Sequence, residues 1–244
     1  MRHLRAFTQQ IMGMPISVHV RARDADRCDI EYAVGQVFAH LRKVDSVFSL
    51  YRPDSQLMLL RAGCLSPAEL HPWVDEVEGL CREAHLMTGG LFTSWLPDDA
   101  GECAFDPTGL VKGWAVSGAA AYLDEVHDVA YCINAAGDMA IGTGRGVDVA
   151  APWRVGIEDP AERGRIAHTV EVTTGAVATS GSAIRGDHFF DPRSTTWIRT
   201  QGSATVVGPD LLWADVWATA AALDTDEVSK LLRGSDSDYQ VIAL

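Results

Sequence analysis

Asp106-Pro107-Thr108-Gly109-Leu110-Val111-Lys112-Gly113-Trp114-Ala115-Val116 reads as a loop that feeds a helix. An acidic residue enters a turn, then come a glycine, a lysine and a second glycine, and an alanine-rich apolar run predicts a helix to about Glu125. Free N–H groups at a helix start, small residues that let backbone approach a ligand, and a lysine all suit a phosphorylated ligand. The P-loop spacing G-x-x-x-x-G-K-[ST] is absent. By themselves these residues are a weak signal and fit a purely structural helix start better.

Upstream of this stretch, residues 14–22 alternate, with Ile16, Val18 and Val20 on one face and Ser17 and His19 on the other, which predicts a half-buried strand. Ile30, Val34, Val37, Leu41, Val44 and Phe48 recur at intervals of three and four and predict a helix that Pro53 stops. Ser66-Pro67-Ala68-Glu69 has the form of a capping box opening a second helix, with Leu70, Trp73, Val77, Leu80, Ala84 and Met87 as its buried stripe and Thr88-Gly89-Gly90 as its end. Residues 91–105 read as loop.

Downstream, Ala130–Asn134 and Met139–Ile141 read as strands flanking a turn, and 153–158, 168–173, 176–179 and Thr205–Val207 as further short strands. Leu211–Leu223 and Thr225–Leu232 read as helices and Tyr239–Leu244 as a closing strand. This order predicts an α+β fold, a mostly antiparallel sheet with packed helices. With no repeat, low-complexity tract or linker, one compact domain over residues 1–244 is expected.

The formal net charge of −13 argues against a nucleic-acid partner, since an acidic surface repels polyphosphate. It also makes a cation or local basic groups necessary wherever a small phosphorylated ligand binds. No run of about 18 apolar residues is present, so no membrane span is expected. The first ten residues lack the apolar core of a signal peptide, and the five scattered cysteines have no C-x-x-C spacing; both predict a reducing, cytoplasmic setting with free thiols.

Four further stretches carry candidate chemistry. Met12-Gly13-Met14 precedes the first alternating strand, either as a plain turn or at a ligand's edge. Phe48-Ser49-Leu50-Tyr51-Arg52-Pro53-Asp54-Ser55 places Tyr51 where it can stack on a flat ring. Ala178-Thr179-Ser180-Gly181, Arg185 and His188-Phe189-Phe190-Asp191-Pro192-Arg193 crowd hydroxyls, a histidine, an aspartate and arginines together; the histidine suits a general base or a phosphate anchor. No G-x-S-x-G elbow accompanies Ser180. In Trp213-Ala214-Asp215-Val216-Trp217-Ala218-Thr219, Asp215 and Thr219 share a helix face four residues apart. A carboxylate and a hydroxyl are hard ligands for Mg²⁺, although Asp215 would also suit a helix N-terminus.

Taken in order, these pieces resemble the FAD:protein FMN transferase family, the ApbE-type flavin transferases. The family order M-G-T, F-S-x-Y-x-x-x-S, D-x-G-G-x-x-K-G, N-x-G-G-D, T-S-G, H-x-x-D-P and A-D-x-x-x-T is met from Met12-Gly13-Met14 through Asn134-Ala135-Ala136-Gly137-Asp138 to Ala214–Thr219. The resemblance implies a T-fold-related architecture and FAD as substrate, with Mg²⁺ on its pyrophosphate. A threonine or serine hydroxyl of an acceptor protein then takes FMN, and AMP leaves. It implies Asp215, Thr219 and the Gly109 carbonyl as metal ligands. Met12, Tyr51, Phe92, Thr93, Asp106, Lys112 and Phe190 would contact FAD, and His188 would assist transfer. The chain departs from the family pattern at Thr93, where an aspartate is usual, at Ala136, where a glycine is usual, and in a shorter segment between residues 93 and 106. The same site with water as acceptor would be an FAD pyrophosphatase; without turnover it would be a flavin-binding protein.

Overall fold

The computed structural model describes residues 3–98, 101–147, 150–181, 189–200, 202–235 and 237–244. The chain begins with β1 (His3–Ile11), β2 (Met14–Ala22), α1 (Cys28–Phe48), α2 (Gln56–Arg61), a 3₁₀ turn (Pro67–Glu69) and α3 (Trp73–Met87). A small hairpin, β3 (Trp95–Pro97) and β4 (Cys103–Phe105), leads into α4 (Thr108–Asp124), β5 (Val129–Ala135) and β6 (Asp138–Thr143). Then follow β7 (Trp153–Glu158), β8 (Ile166–Val172), β9 (Gly175–Gly181), β10 (Phe189–Asp191), β11 (Thr196–Ile198) and β12 (Ser203–Gly208). The last elements are α5 (Leu211–Leu223), α6 (Thr225–Gly234) and β13 (Gln240–Ala243).

Seven strands form one sheet in the order β1-β2-β5-β6-β9-β12-β13, and every neighbouring pair is antiparallel. Alternate residues of a strand point to opposite faces, so each face has its own core. Ile16, Val18, Val20, Ile133, Ala176, Ala178 and Val206 pack with buried residues of α1, α4 and α5. The in-between residues Cys132, Ile141 and Val177 pack under Trp153, Val155 and Val172 of the β7–β8 hairpin. The α+β, antiparallel reading of the sequence matches this arrangement.

The strands β1 and β2 turn over at Met12-Gly13 (φ 56° and 71°), and β5 and β6 at Ala136-Gly137 (φ 52° and 105°). Two-residue loops with both residues at positive φ are the turns whose twist matches a hairpin. Because Ile16 pairs with Ala135, both turns lie at the same end of the sheet. Ser203 pairs with Gly181 and Met139 with Val177, so the end of β9 and the start of β12 lie there too.

Some elements differ from the sequence reading. Residues 91–105 are not all loop, since they contain the β3–β4 hairpin. The Ser66–Glu69 capping contacts exist, with the Ser66 N–H and hydroxyl both donating to Glu69 Oε2 (2.9 and 2.7 Å). They close a single 3₁₀ turn, however, and α3 starts separately at Trp73. Pro72 disfavours helical backbone at His71, which breaks the run. The buried stripe of α3 is therefore Val74, Val77, Cys81 and Ala84. All five cysteines are free; burial pushes the Cys81 thiol up to about 11 and the Cys132 thiol up to about 12. Among the described residues, no helix is long and apolar enough to cross a membrane.

Candidate active site

The site is built where α4 meets α5. Gly109, Gly113 and Ser117 lie four residues apart and so form one stripe along α4. At Gly113 an added Cβ would lie 2.7 Å from the Leu211 carbonyl oxygen and 3.0 Å from the Asp215 Cβ. Only glycine permits so close an approach. One turn later the Ser117 hydroxyl accepts from the Leu212 N–H (3.2 Å), satisfying one of the donors left open at the start of α5.

This contact brings Lys112 and Asp215 together inside the protein, where each is nearly inaccessible (6% and 2% exposed). The Lys112 ammonium pairs with Asp138 Oδ2 and lies 3.2 Å from Asp215 Oδ1. Asp138, 2% exposed, begins β6 directly after the Ala136-Gly137 turn, and its Oδ1 accepts from the Thr179 N–H (2.8 Å). A buried ammonium must be paired, and here one faces two carboxylates. The three groups together hold an excess of negative charge. One turn along α5, the Thr219 hydroxyl lies 3.4 Å from the Ser180 hydroxyl at the end of β9. Carboxylate and hydroxyl oxygens around an excess of negative charge fit a hard divalent cation such as Mg²⁺. Among the described residues no group of three or more His, Cys, Asp or Glu could hold a metal ion.

A family model described as the ApbE family matches residues 93–243, well over half of the chain. The chain belongs to the ApbE family. The match contains Asp106, Lys112, Asp138, Asp215 and Thr219. The fold also matches solved ApbE structures. The Thermotoga maritima ApbE protein is 18% identical (TM-score 0.75, covering 99% of this chain and 94% of that one). Flavin transferase ApbE from Vibrio cholerae is 18% identical (0.75, 100% and 97%). Pseudomonas stutzeri flavinyl transferase ApbE is 21% identical (0.76, 100% and 92%). At such identities the likeness is one of fold. No curated protein sequence matches the chain.

Around this ApbE-family core the other candidates are placed as follows. Gly109 is the second residue of α4, and a Cβ there would lie 3.2 Å from the Phe92 ring. Phe92 is 2% exposed and backs that turn, its carbonyl bonded to the His85 ring (2.9 Å) and its N–H to the Thr88 hydroxyl (2.9 Å). Asp106 Oδ1 accepts from the Thr108 N–H (3.0 Å) and hydroxyl (2.6 Å), fixing the entry to α4. Thr93, half-buried, accepts from the Trp95 N–H (3.2 Å). Met12 sits in the β1–β2 turn, with its side chain against the main core.

Tyr51 lies in the loop after α1 and is 92% exposed. Beside it Arg52 bridges Asp45 and Asp54. Phe190 packs edge-on against Trp197 (5.4 Å) in the β10–β11 hairpin. Arg193 ties that hairpin to Asp224 at the end of α5 (2.7 Å). The Glu227 N–H and the Arg193 guanidinium hold the Asp224 carboxyl below its usual range. Burial would raise the Asp191 carboxyl, but bonds from Arg193 outweigh it and hold that group low as well. His188 and Arg185 lie outside the described residues.

Asp138 and Ser180 stood in quoted motifs without a role. The β6–β9 pairing brings Asp138 within reach of the Thr179 N–H, and the packing of α5 on β9 brings Thr219 to Ser180. Lys112, expected at the ligand, has its ammonium paired with the carboxylates of Asp138 and Asp215.

Proposed function

We propose that this chain transfers FMN from FAD to a threonine or serine hydroxyl of an acceptor protein. The carrying observation is the buried Lys112–Asp138–Asp215 cluster, with the Thr219 and Ser180 hydroxyls beside it, at the glycine-lined start of α4 in an ApbE-family chain. That two fold neighbours are described as flavin transferases supports the reading.

In the reaction the acceptor oxygen bonds to the FMN phosphorus, the bond from that phosphorus to the bridging oxygen breaks, and AMP leaves. The hydroxyl proton goes to a base, a role assigned to His188 from its motif; phosphate anchoring is the other role that motif allows. Asp215, Thr219 and the Gly109 carbonyl would hold Mg²⁺, which when bound offsets the pyrophosphate's negative charge. Such transfer relies on positioning and charge neutralisation more than on covalent participation by the protein. The chain's own part is to fix Asp215 against α4 through Gly113 and to set the phosphate-facing turn through Asp106. Met12, Tyr51, Thr93 and Phe190 are assigned to the flavin and adenine, and Phe92 to the support of Gly109.

The test is AMP release from FAD by the purified chain with Mg²⁺. Release that stops with a chelator and falls about 10²–10³-fold in Asp215→Asn is expected, the size seen when one charge-stabilising group is lost. Undiminished release by a folded Asp215→Asn protein would contradict the assignment.

A further inference from the structure

Asp138 has no part in the reaction as just described, yet it is firmly anchored in the buried cluster. Its position is fixed from the backbone side by the turn at Ala136-Gly137 and by the Thr179 N–H bonded to Oδ1 at 2.8 Å. Thr179 is itself held, its hydroxyl 2.9 Å from that of the fully buried Thr205. The other oxygen of Asp138 pairs with the Lys112 ammonium, which also lies 3.2 Å from Asp215 Oδ1.

From this geometry we infer that Asp138 is a positioning residue for the cation site. It draws the Lys112 ammonium toward the sheet and keeps it from neutralising Asp215, so that Asp215 retains affinity for a divalent cation. The inference rests on the metal role of Asp215 in the proposed function.

With Asp138 present, one ammonium is shared by two carboxylates, and the cluster attracts a further positive charge. With Asp138 neutral, the same ammonium belongs to Asp215 alone, and an incoming cation must displace it. Buried in a medium of low dielectric, such a competition is poorly screened. Gly113 leaves α4 and α5 in backbone contact, so Lys112 cannot escape by a shift of its helix without disturbing Asp215 as well. Asn at position 138 keeps an oxygen for the Thr179 N–H and changes only the charge.

The experiment is a titration of Mn²⁺, followed by the EPR signal of the free ion, on the wild type and on Asp138→Asn, Lys112→Met, Asp138→Asn/Lys112→Met and Asp215→Asn, each checked for cooperative melting. The expected result is a loss of affinity of about 10–100-fold in Asp138→Asn, the range found when a group orienting a metal ligand is removed. Most of that loss should be recovered in the double variant, because the competing ammonium is gone. A purely structural role, or direct ligation by Asp138, would leave the double variant as weak as the single one, and that outcome overturns the inference.

Unchanged affinity in Asp138→Asn overturns it too. If Asp138→Asn does not fold, Lys112→Met decides: binding at least as tight as wild type supports the inference, and weaker binding overturns it. Failure of the underlying reading looks different. In that case Mn²⁺ binding is absent from the wild type or unaltered in Asp215→Asn.

Discussion

The two faces of the central sheet come from alternate residues of the same strands, yet they do different work. The helix face buries Lys112, Asp138 and Asp215 among alanines and valines of α4, α5, β6 and β9. The hairpin face buries Cys132, Ile141, Val177, Trp153, Val155 and Val172, with Arg21 stacked 3.6 Å over the Trp153 ring. Charge is costly to bury, so its concentration on one face marks where chemistry has taken precedence over stability. The hairpin face is ordinary cover. Stability and reactivity should therefore separate when the two faces are altered independently.

The largest expected effect is on the hairpin side. Trp153→Ala should cost about 3–5 kcal/mol in urea unfolding, the range for removing a buried large aromatic. The rate of AMP release by the folded fraction should stay at the wild-type value. A specific fall in rate would break the separation.

Gly113→Ala is the counterpart on the helix face. It should cost about 1–3 kcal/mol from overpacking against Leu211 and Asp215, and it should also lower the rate by moving Asp215. Loss of stability without loss of rate would show that the spacing of α4 and α5 matters to the fold alone.

A smaller change is expected at the sheet end that serves the site. Ala136 holds φ at 52°, a conformation costing a non-glycine residue about 1–2 kcal/mol. Glycine's greater freedom when unfolded takes back part of any gain, so Ala136→Gly should stabilise by about 0.5–1 kcal/mol. A melting curve measures it, and destabilisation would contradict the turn geometry.

The smallest effect is a pH dependence contributed by one histidine on each face. Burial lowers the pKa of His40, beside Trp73, Trp114 and Tyr122, and of His19, beside Trp153. A lowered folded value means that the unfolded chain takes up the proton first. Each contribution is therefore complete above the ordinary histidine value of about 6.5 and is lost as pH falls through the window down to the folded value. His40 Nε2 is buried with no hydrogen-bond partner among the described residues, whereas His19 bonds the Ser17 hydroxyl (3.0 Å). His40→Gln should flatten the fall in melting temperature below that pH more than His19→Gln does; the reverse order would contradict this account.

The same contrast explains what the sequence disclosed. Strand β2 and helix α1 were legible from their period, because each buries one clear face, and the span of α5, buried on nearly every side, was legible from its apolar, alanine-rich run. Strand β1 was not, since this edge strand is exposed along most of its length. The β3–β4 hairpin escaped because strands of three residues carry no period. On the site side, the common helix face of Asp215 and Thr219 was legible because four residues on a helix is a local relation. The partnership of Lys112 with Asp138 was not, because it depends on how β6, β9 and α4 assemble. The ordered motifs supplied the family, and the match over residues 93–243 agrees with them.

The most direct test of the central claim is mass spectrometry of an acceptor. The purified chain would be incubated with FAD, Mg²⁺ and a threonine peptide that an ApbE-family transferase modifies, with that transferase as positive control. The account expects the peptide to gain one FMN through its threonine, with AMP released in equal amount, and neither to occur with Asp215→Asn. An unmodified peptide and intact FAD, beside a working control, would contradict flavin transfer by this site.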